Sequence, residues 1–195
     1  MRRTAGIDEA GRGPLAGPVV AAAVILRPRR RIEGIADSKS LTPEERTRLE
    51  VEIKREALCF GIGWADHAEI DALNILQATF LAMRRALLAM CMPPDHVLVD
   101  GNQLPRLHGL GKVLTARAII DGDVTEPAIS AASILAKTAR DSYMNQMDTL
   151  YPAYCFASHK GYATPDHQRL LSLHGPCPLH RRSFEPVRLA LRCES

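Results

Sequence analysis

Apolar and polar positions along the chain fall into blocks with two different periods. Val19 to Leu26 is apolar at every position, the pattern of a strand buried on both faces. A shorter strand precedes it from Thr4 to Asp8. Pro14, Gly17 and Pro18 lie between the two, so the simplest connection is a hairpin with a long, irregular turn. Leu58 to Ala65 reads as a third strand, weakened by two glycines, that completes an antiparallel meander. His96 to Asn102 and Val113 to Ile120 supply two more strands. Elsewhere the period is helical. Ile75, Ala78, Leu81, Ala82, Arg85 and Leu88 recur at three- and four-residue steps, which predicts a helix from Asn74 to about Met90 that ends before Pro93 and Pro94.

Punctuation residues place the remaining helices. Thr42-Pro43-Glu44-Glu45 combines an N-cap, a first-position proline and a third-position glutamate, and predicts a helix from about 43 to 56. A short helix fits 66 to 71, and a long one runs from Thr125-Glu126-Pro127 to about Leu150. The early face of that long helix carries Ala128, Ala131, Ala132, Ser133, Ala136 and Ala139, small enough to lie close against a sheet. Ser158 to Tyr162 reads as a polar loop with His159 and Lys160 as loop charges. Short helices follow from Thr164 to about Leu173 and from Val187 to Leu191. There is no repeat, low-complexity tract or linker. The economical reading is one domain over residues 1–195, with residues from about 151 forming a smaller C-terminal extension.

Composition narrows the function classes. The 195 residues carry a net charge of +3 and a pI of about 8.7. No apolar run reaches the roughly 18 residues that a membrane helix needs. Asp8 and Glu9 stand where a secretion signal would need its apolar core, which argues for a cytoplasmic chain. The five cysteines are odd in number, widely spaced and without a CxxC, against a disulfide framework or a structural zinc site. Arg27, Arg29, Arg30 and Arg31 read as a solvated turn.

The candidate chemistry lies where apolar runs meet acids. Asp8 and Glu9 end the first strand, Asp100 follows Val97-Leu98-Val99, and Asp123 sits in the acidic turn Asp121-Gly122-Asp123. Buried carboxylates with no partner are costly or protonate, and hard divalent cations such as Mg²⁺ or Mn²⁺ answer that cost with oxygen ligands. Gly11-Arg12-Gly13 follows directly, where missing Cβ atoms allow close backbone approach and Arg12 suits phosphate. From the residues alone, metal chemistry and ordinary solvated strand ends both stay open. The four candidate carboxylates are negative, so the rest of the chain carries a surplus of seven positive charges, as a polyanion partner would require.

Motifs in order then carry a resemblance. The opening stretch from Gly6 to Val20 resembles that of bacterial ribonuclease HII. So do Asp37-Ser38-Lys39, Leu73 to Thr79, Val99 to Asn102, Ile129 to Lys137, His159 to Tyr162 and Gly175 to Phe184. The match spans residues 6 to about 186. With five residues before Gly6, the pattern favours type HII over HIII, which carries an extra N-terminal domain. The resemblance implies an α/β, ribonuclease H-like fold, a mixed five-stranded sheet flanked by helices with a helical C-terminal part. It implies that Asp8, Glu9, Asp100 and Asp123 are catalytic and hold two Mn²⁺ or Mg²⁺ ions. Substrates would be RNA–DNA hybrids and duplex DNA with embedded ribonucleotides, cut to leave 5′-phosphate and 3′-hydroxyl ends. Apart from the resemblance, no strong self-association face stands out in the sequence, so a monomer is expected. Gly11, Arg12 and Gly13 would read the 2′-hydroxyl largely through backbone groups. Tyr162 would pack on the following deoxyribose, and Lys39, Ser133 and Lys137 would meet phosphate, a helix-packing role being the alternative for Ser133. One departure stands out: the family usually has Lys-Gly-Asp where this chain has Asp121-Gly122-Asp123.

A non-catalytic nucleic-acid module would need no converging acids. A junction resolvase of this fold would share the acids but not Gly-Arg-Gly with a downstream tyrosine. A nucleotide-binding protein would want a glycine-rich loop leading into a helix, whereas this one leads into Pro14 and a strand.

Overall fold

A computed structural model of the chain describes residues 2–28, 32–35, 41–110 and 115–192. The expectations for Lys39, for the Asp37-Ser38-Lys39 loop, for Arg29 to Arg31 and for a strand start at Val113 fall outside the described residues.

Five strands form one mixed sheet: β1 (Thr4–Ala10), β2 (Val19–Leu26), β3 (Ala57–Ala65), β4 (His96–Asp100) and β5 (Thr115–Ile119). Their spatial order is β3-β2-β1-β4-β5. The β1–β2 and β2–β3 pairs are antiparallel, as the meander requires, while β1–β4 and β4–β5 are parallel. β2 is an interior strand buried on both faces, which is why its sequence is apolar without alternation.

Helices cover both faces. On one side lies α3 (Ile75–Leu88), whose Ala78, Ala82, Met83, Ala86 and Leu87 pack with Ile7, Ala21, Ala23, Val97 and Val99. On the other lie α1 (Pro43–Glu56) and α5 (Pro127–Leu150), whose Ala131, Ala132, Leu135 and Ala136 pack with Ala22, Val24, Leu49 and Ile53. The capping box expected at the start of α1 is present: Glu45 N–H donates to Thr42 Oγ1 at 3.2 Å, and Thr42 N–H donates to Glu45 Oε2 at 2.8 Å. Helix α2 (His67–Leu73) leads into α3, and Asn74 caps the latter by accepting from the amides of Leu76 and Gln77.

Several expectations change. β1 does not end at Asp8 but continues to Ala10. Gly61 and Gly63 are not weaknesses of β3. They are where α3 lies directly on the sheet, since a Cβ at either would overlap the α3 backbone at Ala86 or Ala82. Gly6 plays the same part under α5, where a Cβ would overlap Ala128. The acidic turn around Asp121 is a one-turn helix, α4 (Gly122–Thr125), with Asp121 as its N-cap in the left-handed region at φ 53°. Aspartate tolerates that conformation better than most side chains. The Ser158–Tyr162 loop is in part helical, α6 (Phe156–His159), and its His159 is buried rather than a loop charge. Two further helices, α7 (Pro165–His174) and α8 (Glu185–Arg192), are the last among the described residues.

Candidate active site

The parallel register of β1 and β4 is the first determinant of the site. Ile7 pairs with Val99, so Asp8 and Asp100 come level one residue further on. Alternation then gives them the same face, that of Gly6 and α5. Asp8 is only 6% exposed, and its carboxylate accepts from the Ser133 side chain on α5 and from the Glu9 amide at 2.7 Å. Asp123, 4% exposed, is brought in by α4, where its amide donates to Asp100 Oδ1 at 3.2 Å. The Ser130 hydroxyl donates to the Asp123 carbonyl at 2.6 Å, tying α4 to the first turn of α5. Gly122 has no Cβ to interfere: one there would stand 3.3 Å from Asp100 Oδ1.

Glu9 is different. Because β1 runs on, Glu9 alternates to the α3 side, where it lines a cleft with Arg12, Thr79, Asp100 and Asn102. Arg12 Nη1 donates to Glu9 Oε1 at 3.3 Å. The two carboxylates therefore reach the strand end from opposite faces, not by a shared turn. Asp8 is held well above the usual carboxylate range, first by burial and then by the charges of Glu9 and Asp100. Glu9 is raised too, by burial and by Asp100, against the pull of Arg12.

Among the described residues, no three acidic, histidine or cysteine side chains converge closely enough to hold an ion by themselves. Mutual repulsion acts against such convergence. The donor set nonetheless fits hard divalent cations: four carboxylates at adjoining element ends, two of them buried, with charged forms that a positive ion would favour.

Next to the acids a groove of about 420 Å³ opens between Gly11-Arg12-Gly13, Arg46, Ser133, Lys137 and Tyr162. Tyr162 lies across from the turn, 4.0 Å from where a Gly13 Cβ would be, and its ring faces Lys137 Nζ at 5.6 Å. Lys137 also pairs with Asp141 at 2.8 Å. Arg46 was not singled out in the sequence and enters the site from α1.

The structure also gives places to residues that the sequence marked only inside a motif or not at all. Arg140 and Arg181 are fully buried. Arg181 donates to the carbonyls of Gly11 (2.6 Å), Arg12 (3.0 Å), Gly17 (2.9 Å) and Pro18 (3.2 Å). Arg140 donates to Ala16 (3.1 Å) and Pro18 (3.0 Å). Burial and the charge of Arg140 bring Arg181 down to about 9, which leaves it protonated at neutral pH. Behind them, His159, His167 and His180 form a buried cluster with Tyr154 and Phe156. For His159 the local signal was the His159 to Tyr162 motif and for His180 and Arg181 the Gly175 to Phe184 motif; Arg140 and His167 had none.

A family model for Ribonuclease HII matches residues 5–187. The chain belongs to the ribonuclease HII family. A Ribonuclease HII of Polaromonas sp. is 57% identical over 188 residues, covering 96% of this chain and 92% of the relative. The ribonuclease H2 structure from Pyrococcus horikoshii OT3 superposes with a TM-score of 0.79 at 28% identity, covering 98% of both chains. RNase HII in a PCNA:RNase HII complex from Archaeoglobus fulgidus gives 0.80 at 25% identity, covering 94% of this chain and 95% of that one. As a ribonuclease HII, the chain is a metal-dependent hydrolase, an endonuclease of the ribonuclease H type that acts on RNA in RNA–DNA hybrids. The mixed sheet with flanking helices is the fold expected of that family. No helix among the described residues is long and apolar enough to cross a membrane.

Proposed function

We propose that this ribonuclease HII cuts on the 5′ side of ribonucleotides embedded in duplex DNA, as well as RNA in hybrids, and so serves ribonucleotide removal during replication and repair. The observation that carries the reading is the juxtaposition of two features. Asp8 and Asp100 lie level on adjacent parallel strands, and the Gly11-Arg12-Gly13 turn with Tyr162 across from it lines a groove that also holds Glu9 and Ser133, the residue bonded to Asp8.

In this reading Asp8, Glu9, Asp100 and Asp123 hold two divalent ions, Mn²⁺ or Mg²⁺. Such ions, when bound, lower the pKa of an attacking water and stabilise a departing 3′ oxygen at phosphorus. Ser133, bonded to Asp8, keeps that carboxylate aimed and does so from the helix face the sequence marked as small. The Asp123 amide does the same for Asp100. The 2′-hydroxyl is the group that separates RNA from DNA, and peptide groups of the Gly11–Gly13 turn read it. Tyr162 receives the sugar that follows. Lys137, Arg46 and Arg12 line the groove as phosphate contacts, with Lys39 added from the sequence motif. We assign the work to one catalytic domain with the residues after about 151 as an extension, acting as a cytoplasmic monomer. The test is end-group analysis of a cleaved hybrid: 5′-phosphate and 3′-hydroxyl products are expected, and 3′-phosphate or cyclic phosphate ends would overturn the chemistry.

A further inference from the structure

Two buried arginines grip one loop from behind. Arg140, on α5, and Arg181, just after the Ala16–His180 bridge, come from points more than 120 residues away. Their hydrogen bonds go to the carbonyls of Gly11, Arg12, Ala16, Gly17 and Pro18. Burying a guanidinium is costly, and burying two side by side more so. Backbone carbonyls are the acceptors that meet most of that cost, while Arg140 Nη1 is buried with no hydrogen-bond partner. The loop is held further by Leu15 N–H to Gly161 O (2.8 Å), Arg181 N–H to Leu15 O (2.8 Å) and Gly17 N–H to Leu179 O (2.9 Å).

The direction of these bonds matters. There is no cis peptide among the described residues. In a trans peptide the N–H of one residue points opposite to the carbonyl of the residue before it. With the Gly11 and Arg12 carbonyls turned onto Arg181, the amides of Arg12 and Gly13 point away from it. Gly13 is exposed and lines the groove facing Tyr162. Arg140 adds a second constraint, because it fills the space a Gly11 side chain would need and lies 5.6 Å from the Tyr162 ring centroid.

We propose that Arg140 and Arg181 are positioning residues for substrate selection: they fix the Gly11-Arg12-Gly13 turn with its amides presented to the groove, so that a 2′-hydroxyl is recognised by preset donors. The inference rests on the proposed reading of that turn. Neither arginine touches substrate. Each acts through the carbonyls it holds, and the loss of either loosens the orientation of the amides more than the affinity for phosphate.

The test uses the full chain, with Arg181→Lys and Arg140→Lys as separate variants, each checked by circular dichroism. Lysine keeps the charge but not the fork of donors. Three quantities are measured: kcat and KM on a DNA duplex with one ribonucleotide, and the inhibition constant of the same duplex without it. Each variant should lose about ten- to a hundredfold in kcat/KM, the effect of one or two charge-assisted hydrogen bonds. The inhibition constant of the all-DNA duplex should stay within about twofold of wild type. Equal weakening toward both duplexes, or no change in either, would overturn the proposal. So would collapse of the fold in both variants, which would make the arginines supports of the fold and not of the turn. Wild-type protein that cuts both duplexes alike would instead defeat the reading of the turn itself.

Discussion

Arg140 occupies the space that any side chain on Gly11 would enter. A Cβ built on Gly11 overlaps the Arg140 side chain and stands 2.8 Å from the Pro18 carbonyl, and Gly11 itself sits at φ 97°. Two independent reasons, a backbone conformation that side chains avoid and an occupied volume, therefore require glycine there. Gly11→Ala should destabilise the protein by about 1–3 kcal/mol. It should reduce cutting at an embedded ribonucleotide by more than that loss explains at a temperature where the variant is folded. Thermal melts beside initial rates check this, and wild-type rates would contradict it.

Asp8 is a charge the fold tolerates poorly. Asp8→Asn should reduce turnover by about 10²- to 10³-fold or more, and so should Asp100→Asn. Without metal, Asp8→Asn should melt at or above the wild-type temperature, because the substitution relieves the burial and repulsion that raise the Asp8 carboxyl. A folded Asp8→Asn enzyme with wild-type turnover would remove Asp8 from the mechanism.

The raised carboxyls also predict proton release. Metal binding requires deprotonated ligands. Asp8 and Glu9 are both raised, so Mn²⁺ should bind less tightly as the pH falls into the acidic range, with protons released on binding. Calorimetry in buffers of differing ionisation enthalpy measures this. Binding without proton release at mildly acidic pH would contradict it.

Acid stability should depend on the histidine cluster. The Gly161 amide donates to His159 Nδ1 (3.1 Å) and the Cys177 amide to His180 Nδ1 (3.0 Å), so both nitrogens are acceptors. His159 Nε2 and His167 Nδ1 face the carbonyls of Tyr154 and Tyr162 and donate to them. His180 Nε2 then donates to His167 Nε2 at 3.1 Å. All three rings are neutral in this network. Burial, with the neighbouring histidines, lowers His167 and His180 from 6.5 to about 4. The unfolded chain thus binds more protons between these values, so stability is complete above about pH 6.5 and is lost as the pH falls toward 4, by a few kcal/mol. Denaturant melts from pH 7 to 4 should show that decline, and His167→Gln should flatten it. An equal slope in the variant would contradict the assignment.

The sheet and the main helices were legible in the sequence because their causes are local. Val19 to Leu26 reads as a doubly buried strand because it is one, and Thr42 with Glu45 caps α1 as their spacing implies. The strand-end position of Asp100 was legible for the same reason. What stayed hidden depends on distant partners. Gly61 and Gly63 look like defects until α3 is laid on them. Glu9 reaches the site from the other face because β1 runs two residues past Asp8, a length that β2 pairing sets. Arg140 carried no signal in the sequence and Arg181 only its place in the Gly175 to Phe184 motif, because their partners lie more than 120 residues away on a loop with no side-chain acceptors to advertise them.

The central claim is that carboxylates at the ends of β1 and β4 do the cutting while the neighbouring turn chooses the sugar. Its most direct measurement uses two DNA duplexes that differ by a single 2′-hydroxyl, each incubated with enzyme and Mn²⁺ or Mg²⁺. The duplex with the ribonucleotide should be cut once, on its 5′ side, and the all-DNA duplex should remain intact. Cutting of both duplexes at similar rates, or of neither, would contradict the account.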